Sequence, residues 1–144
     1  MGAVISFSPS VFGDIPQIEE WTQHDPYHSH QNQPEWWLTE NSSLLAFCLM
    51  DARGPLSYVR LDVEGEYIRL HTQFAPRSVV SRHRLVVGML ECMRRLIALY
   101  RADRCFKGIV FNSVSPSLIA FMQKHHGFKS VGSDDYRLDF EEQQ

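Results

Sequence analysis

The sequence predicts a mixed α/β domain whose sheet is flanked by helices, and three observations carry that prediction. Residues 44–74 hold three strand-length apolar segments joined by short turns. A long segment of 3.6-residue apolar periodicity follows them. After it come a strand, a helix and two more strands. Short turns between strands make an antiparallel meander, whereas a strand reached through a long helix pairs in parallel, so the sheet mixes both directions.

The elements follow in chain order. Residues 1–42 are irregular and helical, punctuated by Pro9, Pro16, Pro26 and Pro34. Phe12, Ile15, Ile18 and Trp21 keep helical spacing and predict a short helix over 11–23. Pro34 suits the first turn of a second helix ending near Glu40. Residues 43–140 form the sheet-and-helix core. Leu44–Met50 is a continuous apolar run, suited to a central strand covered on both faces. After the turn Ala52–Pro55, the strand Leu56–Val63 alternates, with Val59, Leu61 and Val63 opposite Tyr58, Arg60 and Asp62. Glu64-Gly65 marks a hairpin. In the next strand, Glu66–Phe74, Ile68, Leu70, Thr72 and Phe74 oppose Tyr67, Arg69, His71 and Gln73. Val86, Met89, Leu90, Met93, Leu96, Ile97 and Tyr100 line one face of a helix starting at Ser81 or Arg82, with Arg84, Glu91, Arg94, Arg95 and Arg101 in solvent. Phe106–Phe111 is a strand. Ser115-Pro116 opens a helix that Gly127 closes. Phe128–Val131 and Tyr136–Phe140 are the last strands.

Composition narrows the function. One domain of 144 residues buries roughly two-thirds of its unfolded surface. A net charge of −3 gives no global basic field, so no nucleic-acid partner is expected. The apolar runs are too short to cross a bilayer, so no membrane partner is expected. The first residues carry no positive n-region of a secretory signal. Cys48, Cys92 and Cys105 lack CxxC spacing and read as buried thiols of a reducing compartment, with the cytoplasm as the expected location.

This element order, over about residues 10–140, resembles that of the GCN5-related N-acetyltransferase (GNAT) family. Phe74-Ala75-Pro76 is similar to the strand end that leads into the family's cofactor loop. The Ser117–Phe121 run closing on Gly127-Phe128 is similar to its penultimate helix. The resemblance implies a bent mixed sheet that splays midway, with acetyl-CoA held in the split and no metal. It implies an amine acceptor, a small molecule or a peptide, and is compatible with a homodimer. On the cofactor side it points to Phe74, Arg77, Ser81, Arg82 and Arg84. Two departures stand out. The family's Gly-rich phosphate loop is replaced by Arg77-Ser78-Val79-Val80-Ser81-Arg82-His83-Arg84, which has no glycine, so the loop is degenerate and arginine side chains would neutralise phosphate. The family's proton-donating Tyr falls on Met122 or Gln123, neither of which is an acid of useful pKa.

His71 is the candidate catalytic base, because it borders the expected split and an imidazole suits proton abstraction near neutral pH. A partly buried His bonded to backbone or facing an aromatic ring is the competing role. Tyr27, His28, Trp36 and Gln73 are candidate substrate contacts. Trp36-Trp37 reads either as an exposed recognition patch or as one indole plugging the core while the other covers a sheet edge. The His24–His30 cluster matches no ligand spacing, so no metal is expected. Two functions follow: an N-acyltransferase moving an acetyl group from acetyl-CoA to an amine, or a non-catalytic descendant of the fold, a binding or structural and phage-associated component.

Overall fold

The computed structural model describes residues 4–25, 34–40 and 42–140. Seven strands form one sheet: β1 (Ser6–Pro9), β2 (Ser43–Asp51), β3 (Gly54–Glu64), β4 (Tyr67–Phe74), β5 (Gly108–Asn112), β6 (Lys129–Gly132) and β7 (Asp135–Asp139). Their spatial order is β1-β2-β3-β4-β5-β7-β6. All neighbours are antiparallel except β4 and β5, which pair in parallel across the crossover helix α2 (Arg82–Asp103). The other helices are α1 (Ile15–Gln23) and α3 (Pro116–His126).

The helix ends obey local chemistry. Ser81, in extended backbone, accepts from the Arg84 N–H at 3.2 Å and caps α2. Ser115 accepts from the Leu118 N–H and Pro116 fills the first turn of α3. Gly127 closes α3 with φ +77°, a left-handed conformation that costs glycine little. The N–H groups of Gly127 and Phe128 then return to Gln123 and Met122, and Phe128 drops into the core.

Four expectations change. Strand β1 has no counterpart in the sequence reading; its four residues include two serines and Pro9, which suits only an edge position. The segment after Pro34 is a 3-10 turn, Pro34–Leu38, rather than a helix reaching Glu40. The Trp36 carbonyl explains the early stop, because it accepts from the Thr39 N–H, the Thr39 hydroxyl and the Arg60 guanidinium. Cys105 is exposed, beyond the end of α2, whereas Cys48 and Cys92 are buried as expected. Arg84 is not in solvent; it makes a bidentate pair with Asp51 at 2.8 and 2.7 Å.

Strand β3 is buried on both faces from Leu56 to Asp62. One face meets α2, where Gly88 lets the helix approach; a Cβ there would lie 2.5 Å from Leu56 Cδ1. The face carrying Tyr58 is covered by α1: the Tyr58 hydroxyl bonds Asp14 and Gln17, and Trp21 packs 5.2 Å from its ring.

The feature that shapes the molecule is where the β4–β5 ladder stops. Pairing runs Tyr67↔Gly108 to Leu70↔Phe111 and ends there. Residues 71–74 of β4 pair only with β3, so the sheet opens on their other side. The closed end of the ladder is tight. A Cβ on Gly108 would sit 1.9 Å from the Leu138 carbonyl oxygen, and backbone cannot yield as a side-chain tip can. Gly108→Ala should therefore cost about 3 kcal/mol and lower the Tm by roughly 10 °C. Gly88→Ala, which meets only the movable end of Leu56, should lower it by less. Thermal melting of the two variants checks the order.

Candidate functional site

Two cavities meet where β4 leaves β5. The first, of about 740 Å³, lies over the β3–β4 face and is lined by Trp36, Arg60, Asp62, Arg69, His71 and Gln73 among others. The second, of about 390 Å³, lies between the end of β4, the start of α2 and α3. Met89 of α2 and Leu118 of α3 line both.

The β3–β4 hairpin builds the first wall. Its register places Arg60 opposite His71 and Asp62 opposite Arg69. Arg60 is 1% exposed, so its charge must be met inside the protein. It donates from Nε to both Asp62 oxygens and from Nη2 to Oδ1 at 2.9 Å. Its Nη1 reaches the Trp36 carbonyl and the Thr39 hydroxyl, and its guanidinium stacks 4.4 Å above the Trp36 ring. Burial alone would raise the Asp62 pKa, but the bonds from Arg60 and Ser42 outweigh it and hold the carboxyl below its ordinary range. His71 Nε2 lies 3.2 Å from Asp62 Oδ2, and its ring packs nearly perpendicular to that of Trp36, with centroids 4.8 Å apart. Burial pushes the His71 pKa below its ordinary 6.5; Asp62 pulls the other way, and Arg60 and Arg69 add to the lowering. The imidazole is thus neutral at pH 7, the state a proton acceptor needs. Arg69 is bound to Glu64 and Asp135, which closes the far side of the wall.

The second cavity has apolar walls and a cationic mouth. Phe74, Ala75, Pro76, Leu85, Val86 and Phe121 line it, with Arg77 and Arg82 at the start of α2. Both arginines are exposed. The linking loop is tightly turned: the N–H groups of Val79 and Val80 both return to the Pro76 carbonyl. Those two donors are spent within the loop. The first N–H groups of α2 have no carbonyl four residues back within the helix, and the helix dipole adds positive potential there.

The residues singled out from sequence divide. Phe74, Arg77 and Arg82 line the second cavity; His71, Trp36 and Gln73 line the first. Ser81 caps α2, and Arg84 points to Asp51 and lines neither cavity. Gln73 is 2% exposed and its amide donates to Asp25 at 2.9 Å, with Thr22 3.4 Å away, so it anchors the end of α1. Tyr27, His28 and most of the His24–His30 cluster lie outside the described residues. Met122 is fully buried in the first cavity and Gln123 is exposed. Burial pushes the Cys48 and Cys92 thiols up to about 11 and about 12, so neither is a thiolate nucleophile. Sequence reasoning missed Arg60 and Asp62. The signal was present: a two-residue turn after Glu64 sets Glu64 opposite Tyr67, and counting back puts Arg60 and Asp62 beside His71.

No protein-family model matches the sequence, and no curated protein does. Solved structures do match. The ribosomal-protein-S18-alanine N-acetyltransferase of Escherichia coli superposes with a TM-score of 0.69 at 14% identity, covering 95% of this chain and 94% of that one. An aminoglycoside acetyltransferase solved with coenzyme A gives 0.70 at 16% identity, covering 94% and 95%. A GNAT-family acetyltransferase of Brucella melitensis solved with acetyl-CoA gives 0.59 at 14%, covering 95% and 88%. The chain has the GNAT fold: an open, seven-stranded mixed sheet flanked by helices.

A half-buried histidine with a lowered pKa also leaves a mark on stability. The folded pKa of His71 lies below its unfolded value near 6.5, so the unfolded chain binds the extra proton first. Its contribution is complete above about pH 6.5 and is lost as pH falls through that value towards the folded pKa. Urea unfolding of wild type should therefore weaken between pH 7.5 and 5.5. In His71→Gln the decline should be smaller, the remainder including His126, whose pKa burial also lowers.

Proposed function

Starting from the GNAT fold, we propose that this chain is an N-acetyltransferase that moves an acetyl group from acetyl-CoA to a primary amine on a small molecule or peptide. The observation that carries this reading is the parting of β4 from β5, with His71 the first residue past the last paired one, Leu70. The parting leaves a strand edge of backbone donors and acceptors beside an apolar cavity, where an extended ligand arm can add as a further strand.

The residues suit a CoA donor in a specific way. Phe74, Leu85, Val86 and Phe121 give an apolar sleeve, and Arg77 and Arg82 stand at its mouth. The loop has no glycine and its Val79 and Val80 N–H groups are engaged, so phosphate is held by arginine side chains and the α2 N-terminus. When bound, acetyl-CoA supplies an acyl group activated as a thioester. His71 accepts the proton lost by the acceptor nitrogen, and the cavity mouth returns it to solvent. The wall holds the amine in line with the donor, so the gain is largely positional. The two positions where the family's proton donor falls supply no acid to the leaving thiolate: Met122 is apolar and Gln123 is an amide. The departing thiolate takes its proton from water.

Acetyl-CoA at a hundred times its Kd should raise stability by about 2.7 kcal/mol, read as a rise in Tm. Arg77→Ala with Arg82→Ala should shrink that rise, and Arg84→Ala should lower the Tm of the free protein while leaving the rise intact. No rise with wild type at millimolar acetyl-CoA would reject the transferase and leave the non-catalytic descendant of the fold.

A further inference from the structure

Resting on the transferase reading, we propose that Asp62 is the positioning residue for His71. Its carboxylate fixes the imidazole so that Nε2 carries the proton and Nδ1 turns its lone pair to the acceptor amine.

The geometry assigns separate partners to the two carboxylate oxygens. Oδ1 accepts from Arg60 Nη2 and from the Ser42 hydroxyl at 3.0 Å. Oδ2 shares Arg60 Nε at 3.0 Å and otherwise faces His71 Nε2 at 3.2 Å. An ionised carboxylate only accepts, so the nitrogen beside it is the one that bears hydrogen. Arg60 keeps the carboxylate ionised and immobile, being held itself by the Trp36 carbonyl and Thr39. Trp36 meets the imidazole from a second side and prevents it from swinging out. Among the described residues no hydrogen bond engages either ring nitrogen, and Nε2 is the one that the carboxylate faces, at ion-pair distance.

The charged groups acting on the ring are Asp62, Arg60 and Glu64 of β3 and Arg69 of its own strand. The neighbours lining the same cavity from α1, α2, β5 and α3 are Thr22, Met89, Phe111, Asn112, Leu118 and Met122, and none titrates. The step balances simply. An ammonium acceptor loses one proton to Nδ1, the free amine forms the C–N bond as the C–S bond of the thioester breaks, and the sulfur departs with the electron pair. The second nitrogen proton passes to water, from which the thiolate is protonated. The imidazolium left behind sits against Asp62 until solvent removes the proton.

Imidazole ¹H–¹⁵N correlation spectra of the full chain test the assignment, with His71→Gln identifying the resonance. Wild type should show the neutral ring protonated on Nε2 at pH 7 to 8. In Asp62→Asn the Arg60 donors hold the amide oxygen, which leaves the NH₂ group facing Nε2. The ring proton should then move to Nδ1 and the titration midpoint should fall. Turnover of Asp62→Asn should drop tenfold or more while the acetyl-CoA rise in Tm is kept. Where that variant does not fold, the wild-type spectrum decides alone, and Ser42→Ala, which leaves Asp62 in place, should retain the Nε2–H form. A wild-type ring protonated on Nδ1, or an Asp62→Asn ring with unchanged tautomer and midpoint, overturns the proposal. Loss of the acetyl-CoA response with the expected tautomer present would instead sink the transferase reading.

Discussion

The buried guanidinium of Arg60 is the constraint around which the candidate site is organised. A charge taken from water is tolerated only when every donor is met, and here the donors are met by parts of the chain distant in sequence. Asp62 lies on the same strand, whereas Trp36 and Thr39 belong to the segment following residue 33. One side chain therefore fastens the turn over the sheet, holds Asp62 as an anion and, through Asp62 and Trp36, sets the surroundings of His71. Neutralising Arg60 would leave Asp62 buried without its partner, so position 60 has little freedom even though it need never touch a substrate.

What was legible in the sequence was local. The start of α2 at Ser81 and the start and stop of α3 at Ser115 and Gly127 follow from capping chemistry within four residues. The β3–β4 hairpin follows from Glu64-Gly65, where Gly65 takes φ +62°. The illegible parts depend on partners far along the chain. Arg84 looks like a solvated helix start until Asp51, thirty-three residues earlier, is brought beside it. β1 is four residues without alternation, and only the apolar β2 next to it makes it a strand. Arg60 and Asp62 occupy the polar half of an alternating pattern, which ordinarily faces water; α1 and the Pro34–Leu38 turn cover that face instead.

The two ends of the site are built on different principles. At the end proposed to hold phosphate, a loop of bulky residues turns inward on its own carbonyl, and Arg77 and Arg82 stand exposed. Such contacts are flexible and screened by salt. At the His71 end, proposed to take the acceptor, charges are paired, rings are clamped and Gln73 is tied to α1. Rigidity is thus concentrated around His71, where the proposed proton transfer would demand alignment, and adaptability at Arg77 and Arg82, where only charge would have to be matched.

The short β1 strand has a further consequence for colloidal behaviour. It is all that separates the nine-residue β2, with Phe47, Cys48 and Leu49 at its centre, from being the outermost strand of the sheet. Pro9 and the brevity of β1 offer a visiting chain a poor template. Peeling it away would uncover a long apolar ladder edge open to a second molecule. Those four residues act as a selvage, keeping the sheet from knitting onto its neighbours.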